Sequence, residues 1–397
     1  MEIQGKQDKK KVSIVMMSTF SGNSFKAPQL KSLVHCLAKQ NLLANSFGMP
    51  ENEDKIEYSE DELRYLKRNW VMNIIMRVVN KILCTIGVNK SYLVREKIFG
   101  FFARLFFKAD GEVVLLKPRP SSLVKYYRKK GKFVVVEASE SHTEYTYEMI
   151  KLECQALSVP LVKNNYTNKD AIKDFAEGVM NADRLICLSR FSANTYKKRG
   201  ISDNKIRVTG LTTGVPLIRP RHISSESVVY VSVANHSLLK GTLHLLRTWE
   251  KYKISNRLMI VGHVHKDLEP YIEDYKNDGN IIFTGSLSRD EIERIYISNK
   301  SVGVFLSVSE GFPRSVLECL STSTPVIVTE CCTCDIVENE KNGFIINPFD
   351  EKELYEKIVK YNNMLPEEYL SMAELAYEGA STVENNFLPK YVEALVK

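Results

Sequence analysis

The segment Ser307–Cys319 constrains the fold of this chain most, because it places a turn and a helix between two apolar runs. Val302 to Val308 is an apolar run typical of a buried strand, and Arg314 to Ser321 has the apolar spacing of a helix. A second β-branched run, Thr324 to Thr329, follows directly. A strand, a helix and a strand in this order predict a parallel sheet covered by helices.

Two acids flank the turn of this segment. Glu310 follows the first strand, and Glu318 lies on the first turns of the helix. Ligands of open α/β sheets bind outside the carboxyl ends of the strands, so both acids can face one bound ligand. The alternative is that Glu318 is a solvated helix acid and Glu310 a turn residue.

The elements that follow the acid pair keep a recognisable order. A strand begins at Pro325-Val326, and a turn at Asn342-Gly343 leads to a short strand that stops at Asn347-Pro348. This succession resembles the carboxyl-terminal half of family 4 of the nucleotide-sugar glycosyltransferases, whose signature begins with Glu-x7-Glu. The resemblance implies an α/β fold of the GT-B type. Such a fold has two Rossmann-like doubly wound domains that face each other across a cleft, and a carboxyl-terminal helix that crosses back to the first domain.

The length of the chain agrees with two domains. With 397 residues, of which 44% are hydrophobic, it can bury two cores of ordinary size. Pro216, Pro220 and the polar run from His222 to Ser227 predict a boundary between them. We therefore expect an acceptor-binding domain over 1–220, a nucleotide-sugar domain over 226–380 and a returning helix over 381–397.

The resemblance also assigns roles to residues of the second half. The family reads Gly-Arg-x4-Lys-Gly where this chain has Ala234-Asn235 followed by Lys240-Gly241, so the lysine is retained and the arginine is lost. The expected catalytic residues are Glu310, His142 and Lys240. The expected donor-binding residues are Asn235, Lys240, Gly241, His263, Gly285, Leu287, Glu310, Gly311, Phe312 and Glu318. His236 and His265 are further candidates, as a phosphate donor and a nucleotide contact.

Two polar turns of the first half are candidates for the acceptor side of the cleft. Ser21-Gly22-Asn23 follows the strand from Val12 to Met17, and its amides could approach a phosphate or an acceptor sugar. His142 follows the strand from Phe133 to Val136 and resembles the family histidine that approaches the transferred sugar; the alternative is a structural hydrogen bonder. Glu144 and Glu153 are interpreted as surface or helix acids. The chain lacks G-x-G-x-x-G, which disfavours a dinucleotide-dependent oxidoreductase.

The net charge of +7 has one main source. The window from Asp61 to Lys108 carries a surplus of basic residues and contains helical apolar patterns, among them the phenylalanine-rich stretch from Ile98 to Phe107. Charged residues interrupt these apolar patterns, so none of them predicts a transmembrane span. The window favours contact with an anionic membrane surface, and ordinary core helices with solvated basic faces are the alternative. No nucleic-acid recognition module is visible.

Neither a metal nor another cofactor is expected. Cys331, Cys332 and Cys334 lack the second ligand pair of a structural zinc site, and no Asp-x-Asp motif occurs. The run from Val12 to Met17 is too short for a secretory signal, so the eight cysteines are interpreted as reduced thiols of a cytoplasmic protein, with possible peripheral attachment to the inner membrane face.

By resemblance, the predicted function is transfer of a hexose or N-acetylhexosamine from a nucleotide-diphosphate sugar, with retention of configuration. UDP-sugars are favoured over GDP-sugars, and the acceptor is a saccharide or lipid-linked molecule in polysaccharide or glycoconjugate synthesis. Two alternatives stay open: a catalytically silent sugar-binding or partner subunit, and a nucleotide-sugar epimerase of the same fold.

Overall fold

The computed structural model describes residues 10–19, 27–49, 66–67, 74–75, 78, 91–221, 227–298 and 300–397. Its described strands form two parallel sheets. The first sheet has the order β3-β2-β1-β4-β5-β6-β7 and consists of β1 (Val12–Thr19), β2 (Leu43–Met49), β3 (Leu66–Lys67), β4 (Val113–Leu116), β5 (Phe133–Ala138), β6 (Arg184–Cys187) and β7 (Ile206–Val208). The second has the order β10-β9-β8-β11-β12-β13 and consists of β8 (Val228–Val233), β9 (Leu258–Val261), β10 (Ile281–Gly285), β11 (Lys300–Phe305), β12 (Val326–Thr329) and β13 (Gly343–Ile346).

Helices connect these strands and cover the sheets. Those of the first half are α1 (Ala27–Lys39), α2 (Ser91–Phe106), α3 (Ser121–Lys129), α4 (Thr143–Ala156), α5 (Lys169–Met180) and α6 (Arg190–Lys197). Those of the second half are α7 (Thr242–Lys251), α8 (Arg289–Ser298), α9 (Arg314–Ser321), α10 (Glu351–Asn362) and α11 (Pro366–Val396). The central strands are mostly apolar and buried, as expected for parallel sheets covered on both faces; β4, with the sequence VVLL, is fully buried.

The last helix joins the two halves. α11 begins at Pro366 and runs for 31 residues, so it starts well before the predicted position 381. Its end contacts the first sheet, where the Arg184 guanidinium donates to the Ala394 carbonyl over 2.7 Å and the Tyr391 hydroxyl bonds the Glu137 carboxylate. Two doubly wound sheets with a returning helix confirm the predicted fold class.

One strand ends earlier than its sequence suggests. The apolar run from Val302 to Val308 is buried, but β11 stops pairing with β12 at Phe305. Beyond that point the Val308 amide donates to the Leu239 carbonyl over 3.0 Å, and Thr329 Oγ1 donates to the Ser307 carbonyl over 2.6 Å. The chain therefore leaves the sheet while still buried, which fixes the start of the loop that carries Glu310.

The basic window from Asp61 to Lys108 is described only in part. Its largest described element is α2. Among the helices that the structure describes, none combines the length and the apolar character that a membrane crossing requires.

Candidate active site between the two sheets

The strand order brings several of the predicted donor residues to one point of the second sheet. The order reverses between β8 and β11, so the loops after these two strands diverge and leave a crevice. Asn235 and Lys240 follow β8, and Glu310 follows β11. Residues that lie 70 positions or more apart in the chain therefore meet at the same sheet edge.

A cavity of about 440 Å³ lies at this edge, between the two halves of the chain. The second half contributes the predicted residues Asn235, Lys240, Glu310, Gly311 and Phe312. The first half contributes polar residues from the loop after β5 and from α4 and the loop beyond it, namely Ser139, Glu140, Ser141, Thr146, Asn164, Asn165 and Tyr166. The lining is mostly polar, which suits a ligand rich in hydroxyl and phosphate groups.

Lys240 and Glu310 form an ion pair inside this cavity. Lys240 Nζ donates to Glu310 Oε1, and the side chains remain 27% and 14% exposed. Burial alone would lower the pKa of Lys240, but the Glu310 carboxylate outweighs it and raises that pKa. Ser307 Oγ donates to the same carboxylate oxygen over 2.9 Å. The lysine is thus held fully charged, and it is engaged by the acid.

Gly241 lets the lysine loop approach β11 closely. Its φ of +64° lies in the left-handed region that favours glycine, and a Cβ atom there would lie 2.2 Å from the Leu306 carbonyl oxygen. Gly241 is also the N-cap of α7, and no side chain caps that helix start. The first amides of α7 therefore lie next to Lys240, an arrangement that suits an anion.

Glu310 and the Gly-Phe-Pro turn that follows it (Gly311 to Pro313) are hydrogen-bonded to the first half of the chain. Ser141 Oγ donates to the Glu310 carbonyl over 2.6 Å, and Ser189 Oγ donates to the Gly311 carbonyl over the same distance. A Cβ atom on Gly311 would lie 2.1 Å from the Ser139 carbonyl oxygen. Ser189 Oγ also accepts a hydrogen bond from the Ser192 amide and so caps α6.

Glu318 lies apart from this cavity and does not line it. It sits on α9 among charged groups, with the guanidinium groups of Arg314 and Arg289 and the Glu384 carboxylate as its electrostatic neighbours. Burial raises the pKa of Glu318, and the two arginines partly oppose this rise. The acid pair therefore marks two neighbouring polar sites, one on each side of the α9 start. Because Glu318 is partly buried, the alternative that it is a solvated helix acid does not hold.

His142 is placed differently from the predicted role in the cleft. Its side chain is buried, caps α4 by accepting from the Glu144 amide, and packs edge-on against Phe175 and Tyr196. Burial and the charge of Arg199 lower the pKa of His142 to about 4. The structure does not bring His142 into the cavity, and its contacts are those of a structural hydrogen bonder.

The other histidine candidates separate in the structure. His236 is fully buried and its ring bonds Thr242 Oγ1 and the Val261 carbonyl, so it offers nothing to the cavity. His263 is exposed and does not line the cavity, whereas His265 does, beside Asp267.

The remaining predicted donor contacts lie at the far strands of the second sheet. Gly285, with a φ of +67°, ends β10, and Leu287 follows it on the way to α8. Neither residue lines the cavity. Ser21, Gly22 and Asn23 lie outside the described residues.

The cysteine cluster lies behind the site. Cys331, Cys332 and Cys334 are buried, and Cys331 Sγ donates to the Ser307 carbonyl over 2.9 Å. All cysteines of the described ranges are free thiols, and these ranges contain no group of three metal-ligating side chains. The cluster packs under the loop of Glu310.

Comparison with known proteins assigns this sheet and its loops to a family. Residues 217–378, which include Asn235, Lys240, Glu310 and Glu318, match the family described as glycosyl transferases group 1. This match covers most of the second half of the chain. The resemblance to family 4 glycosyltransferases is thereby confirmed for the segment that carries the ion pair.

Individual relatives of the chain are distant. An N,N'-diacetylbacillosaminyl-diphospho-undecaprenol α-1,3-N-acetylgalactosaminyltransferase of Campylobacter jejuni is 24% identical over 52% of this chain and 58% of its own length. Sucrose-phosphate synthase of Thermosynechococcus elongatus has a TM-score of 0.67 at 15% identity, with 97% of this chain and 96% of that one covered. HepE of Anabaena, solved with UDP and glucose, has a TM-score of 0.62 at 13% identity, with 97% and 99% covered. The matches cover between 16% and 60% of the length of the curated relatives.

Several features of the candidate site were missed by sequence reasoning. The cavity residues of the first half, such as Ser139, Ser141 and Asn164, come from loops without a motif. A buried ionic contact also crosses between the halves: His244 Nε2 lies 3.2 Å from Glu153 Oε2, and His244 Nδ1 lies 3.7 Å from Glu351 Oε1. Glu153 was interpreted as a surface or helix acid; it lies on α4 and is fully buried, so the helix interpretation holds. The helical spacing of Ile150, Glu153 and Cys154 was the available signal.

Proposed function

We propose that the protein transfers a hexose or N-acetylhexosamine from a nucleotide-diphosphate sugar to a saccharide or lipid-linked acceptor, with retention of configuration. The observation that carries this proposal is the meeting of Lys240 and Glu310 in a polar cavity between the two sheets. The family of residues 217–378 supports nucleotide-sugar chemistry there.

The charges of the cavity support a separate binding role for each of its charged groups. Lys240 and the first amides of α7 face the position of a diphosphate and neutralise the charge that develops as it leaves. Glu310 and the amides of Gly311 and Phe312 hold the hydroxyl groups of the sugar. Glu318, on the other side of α9, accepts hydrogen bonds from the ribose hydroxyls. In this scheme donor binding draws Lys240 from Glu310 to the diphosphate.

The reaction needs no protein nucleophile. The bond from the anomeric carbon to the diphosphate oxygen breaks, and a bond from the same carbon to the acceptor oxygen forms on the same face of the sugar. The acceptor proton passes to the departing phosphate oxygen, and nucleoside diphosphate is the second product. No metal is required in this scheme, because Lys240 and the helix amides supply the positive charge.

UDP-sugars and a lipid-linked or polysaccharide acceptor are the favoured substrates. HepE was solved with UDP and glucose, and the Campylobacter relative is named for transfer to a diphospho-undecaprenol acceptor. Both similarities are distant, so they support the substrate class and leave the individual sugar to experiment.

A catalytically silent partner subunit is the second candidate. Two observations favour this candidate. Asn235 stands where the family has an arginine, and Lys240 is paired with Glu310; both weaken the binding of a diphosphate. The two candidates differ in whether the protein releases nucleoside diphosphate from a bound nucleotide sugar.

The deciding experiment has two stages. A thermal-shift screen of the purified chain against UDP, GDP, ADP and their sugars identifies the donor, because a ligand that binds the folded state raises its stability. Release of nucleoside diphosphate from that donor is then followed with and without saccharide acceptors. Acceptor-dependent release supports the transferase. Binding without release in any acceptor mixture supports the silent subunit, and product formation without acceptor supports an epimerase or hydrolase.

A further inference from the structure

The exposed side of α2 carries bulky apolar residues among basic ones. Phe101, Leu105 and Phe106 are 54%, 60% and 53% exposed. Lys97, Arg104 and Lys108 are exposed around them. We define these six residues as the α2 face.

The spacing of these residues places most of them on one stripe of the helix. Lys97, Arg104 and Leu105 lie three or four positions from Phe101 along α2, so their side chains are its neighbours on the helix surface, and Lys108 follows the helix end. Between Ser91 and Ala109 the sequence contains a single acid, Glu96, and that side chain is buried and lies 3.2 Å from the Arg119 guanidinium. The α2 face is therefore basic as well as apolar.

Two further apolar side chains are exposed in the same region. Ile74 and Val78 are each 50% exposed, and the intervening Ile75 packs against the core cluster that contains Phe99 and Phe102 of α2. Exposed apolar side chains scattered singly need no explanation, but a group of this kind marks an interaction surface.

We propose that the α2 face docks on the surface of a membrane rich in anionic lipid. Aromatic and leucine side chains enter the boundary between headgroups and acyl chains, and the lysine and arginine side chains contact lipid phosphates. Charge complementarity decides for this occupant, since a second copy of the chain would bring the same positive charges together. The inference goes beyond the proposed function and does not depend on it.

The helix that carries the α2 face packs against a loop of the first sheet. A Cβ atom on Gly100 would lie 2.6 Å from Pro120 Cγ, so α2 packs directly on the loop that follows β4. The Glu96–Arg119 ion pair joins the same two segments. This loop leaves the first sheet where its strand order reverses, between β1 and β4. Docking by α2 therefore holds the loop after β4 near the lipid.

The test is co-sedimentation of the full chain with vesicles of phosphatidylcholine, with and without phosphatidylglycerol, at low and high salt. We expect binding only to the anionic vesicles, and weaker binding at high salt because the attraction is screened. Arg104→Gln and Lys97→Gln are each expected to lower the partition coefficient about 5-fold. Phe101→Ser and Leu105→Ser are each expected to lower it about tenfold or more, through lost apolar burial.

Matched controls come from the second half of the chain. Leu370 is 40% exposed on α11, and the Lys352 side chain is 76% exposed on α10. Leu370→Ser and Lys352→Gln should bind as the unmodified chain does, and unchanged melting temperatures exclude unfolding of the α2 variants. The proposal is overturned if the unmodified chain ignores anionic vesicles at low salt. Equal binding by all variants, or self-association that Phe101→Ser abolishes without any vesicle binding, also overturns it.

Discussion

Lys240 and Glu310 form a direct ion pair in the cavity, although they lie in loops after two different strands of the second sheet. In the proposed reaction each has a separate partner, the diphosphate for the lysine and the sugar hydroxyls for the acid. Donor binding therefore exchanges one ion pair for two sets of ligand contacts, and the free energy of breaking the pair is subtracted from the affinity.

Lys240→Ala should abolish most of the turnover. The variant loses the cation that faces the leaving diphosphate, and we expect kcat to fall about 10²-fold or more. Initial rates of nucleoside diphosphate release measure this. Lys341→Ala, which removes an exposed lysine of the same half, is the control and should leave the rate unchanged. Full activity of Lys240→Ala would remove the assignment of the cavity as the site of transfer.

Glu318→Gln should weaken nucleotide binding and leave pyrophosphate binding intact. A hydrogen bond to a charged group contributes about 1.5–3 kcal/mol, so we expect UDP to bind roughly 10- to 100-fold more weakly. Isothermal titration with UDP and with pyrophosphate separates the ribose contact from the phosphate contact. Glu378→Gln, at an exposed acid of α11, controls for the change in charge. Equal losses for both ligands would mean that Glu318 acts on the phosphate site or on folding instead.

Asn235→Arg should strengthen diphosphate binding. Asn235 is exposed in the cavity, and a guanidinium there adds charge-assisted hydrogen bonds to phosphate oxygens. We expect UDP affinity to rise about 5- to 20-fold at low salt and the gain to shrink as salt increases. Asn235→Gln lengthens the side chain without charge and should show no gain. An arginine variant with unchanged affinity would place the diphosphate away from Asn235.

Gly311→Ala should force the two halves apart. Its Cβ atom would lie 2.1 Å from the Ser139 carbonyl oxygen, whereas a Cβ atom on Gly279 would meet nothing within 4 Å. Overpacking of this kind costs about 1–3 kcal/mol, so the melting temperature and the rate of transfer should both fall. Gly279→Ala is the control and should match the unmodified chain. If Gly311→Ala kept full stability and activity, the closed contact would not be the working state.

The contact of His244 with Glu153 should make the interface sensitive to pH. Burial by itself lowers the pKa of His244, but the carboxylates of Glu153 and Glu351 outweigh it and raise that pKa above 6.5. A raised histidine pKa stabilises the folded state below its unfolded value of about 6.5, and this contribution is lost as pH rises through the folded value. The pKa of Glu153 is raised by burial, which acts in the same direction.

We therefore expect the stability difference between the unmodified chain and His244→Gln to be largest near pH 6 and to shrink towards pH 9. Thermal melts across this range measure it. Lys251→Gln removes an exposed cation that contacts Glu351 and serves as the control. A difference that is constant with pH would show that His244 stabilises the interface as a neutral group.

The sequence predicted the second half of the chain better than the first. The Glu310 loop, α9 and the Lys240-Gly241 pair follow from local patterns, because apolar runs, a proline turn and a helical repeat all lie within a few residues of one another. The first half contributes to the cavity through loops whose positions depend on distant packing. His142 shows the difference: its place after β5 was foreseen, but the aromatic pocket of Phe175 and Tyr196 that buries it depends on two later helices.

The Gly-Phe-Pro turn has a kinetic consequence. The carbonyl groups of Glu310 and Gly311 accept hydrogen bonds from Ser141 and Ser189 of the opposite half, and Glu310, Gly311 and Phe312 line the cavity. Parting of the two halves breaks both hydrogen bonds and moves this wall of the cavity. Opening of the cleft and release of the sugar pocket are then a single step, so the residence time of a bound nucleotide sugar should follow the rate at which the two halves part.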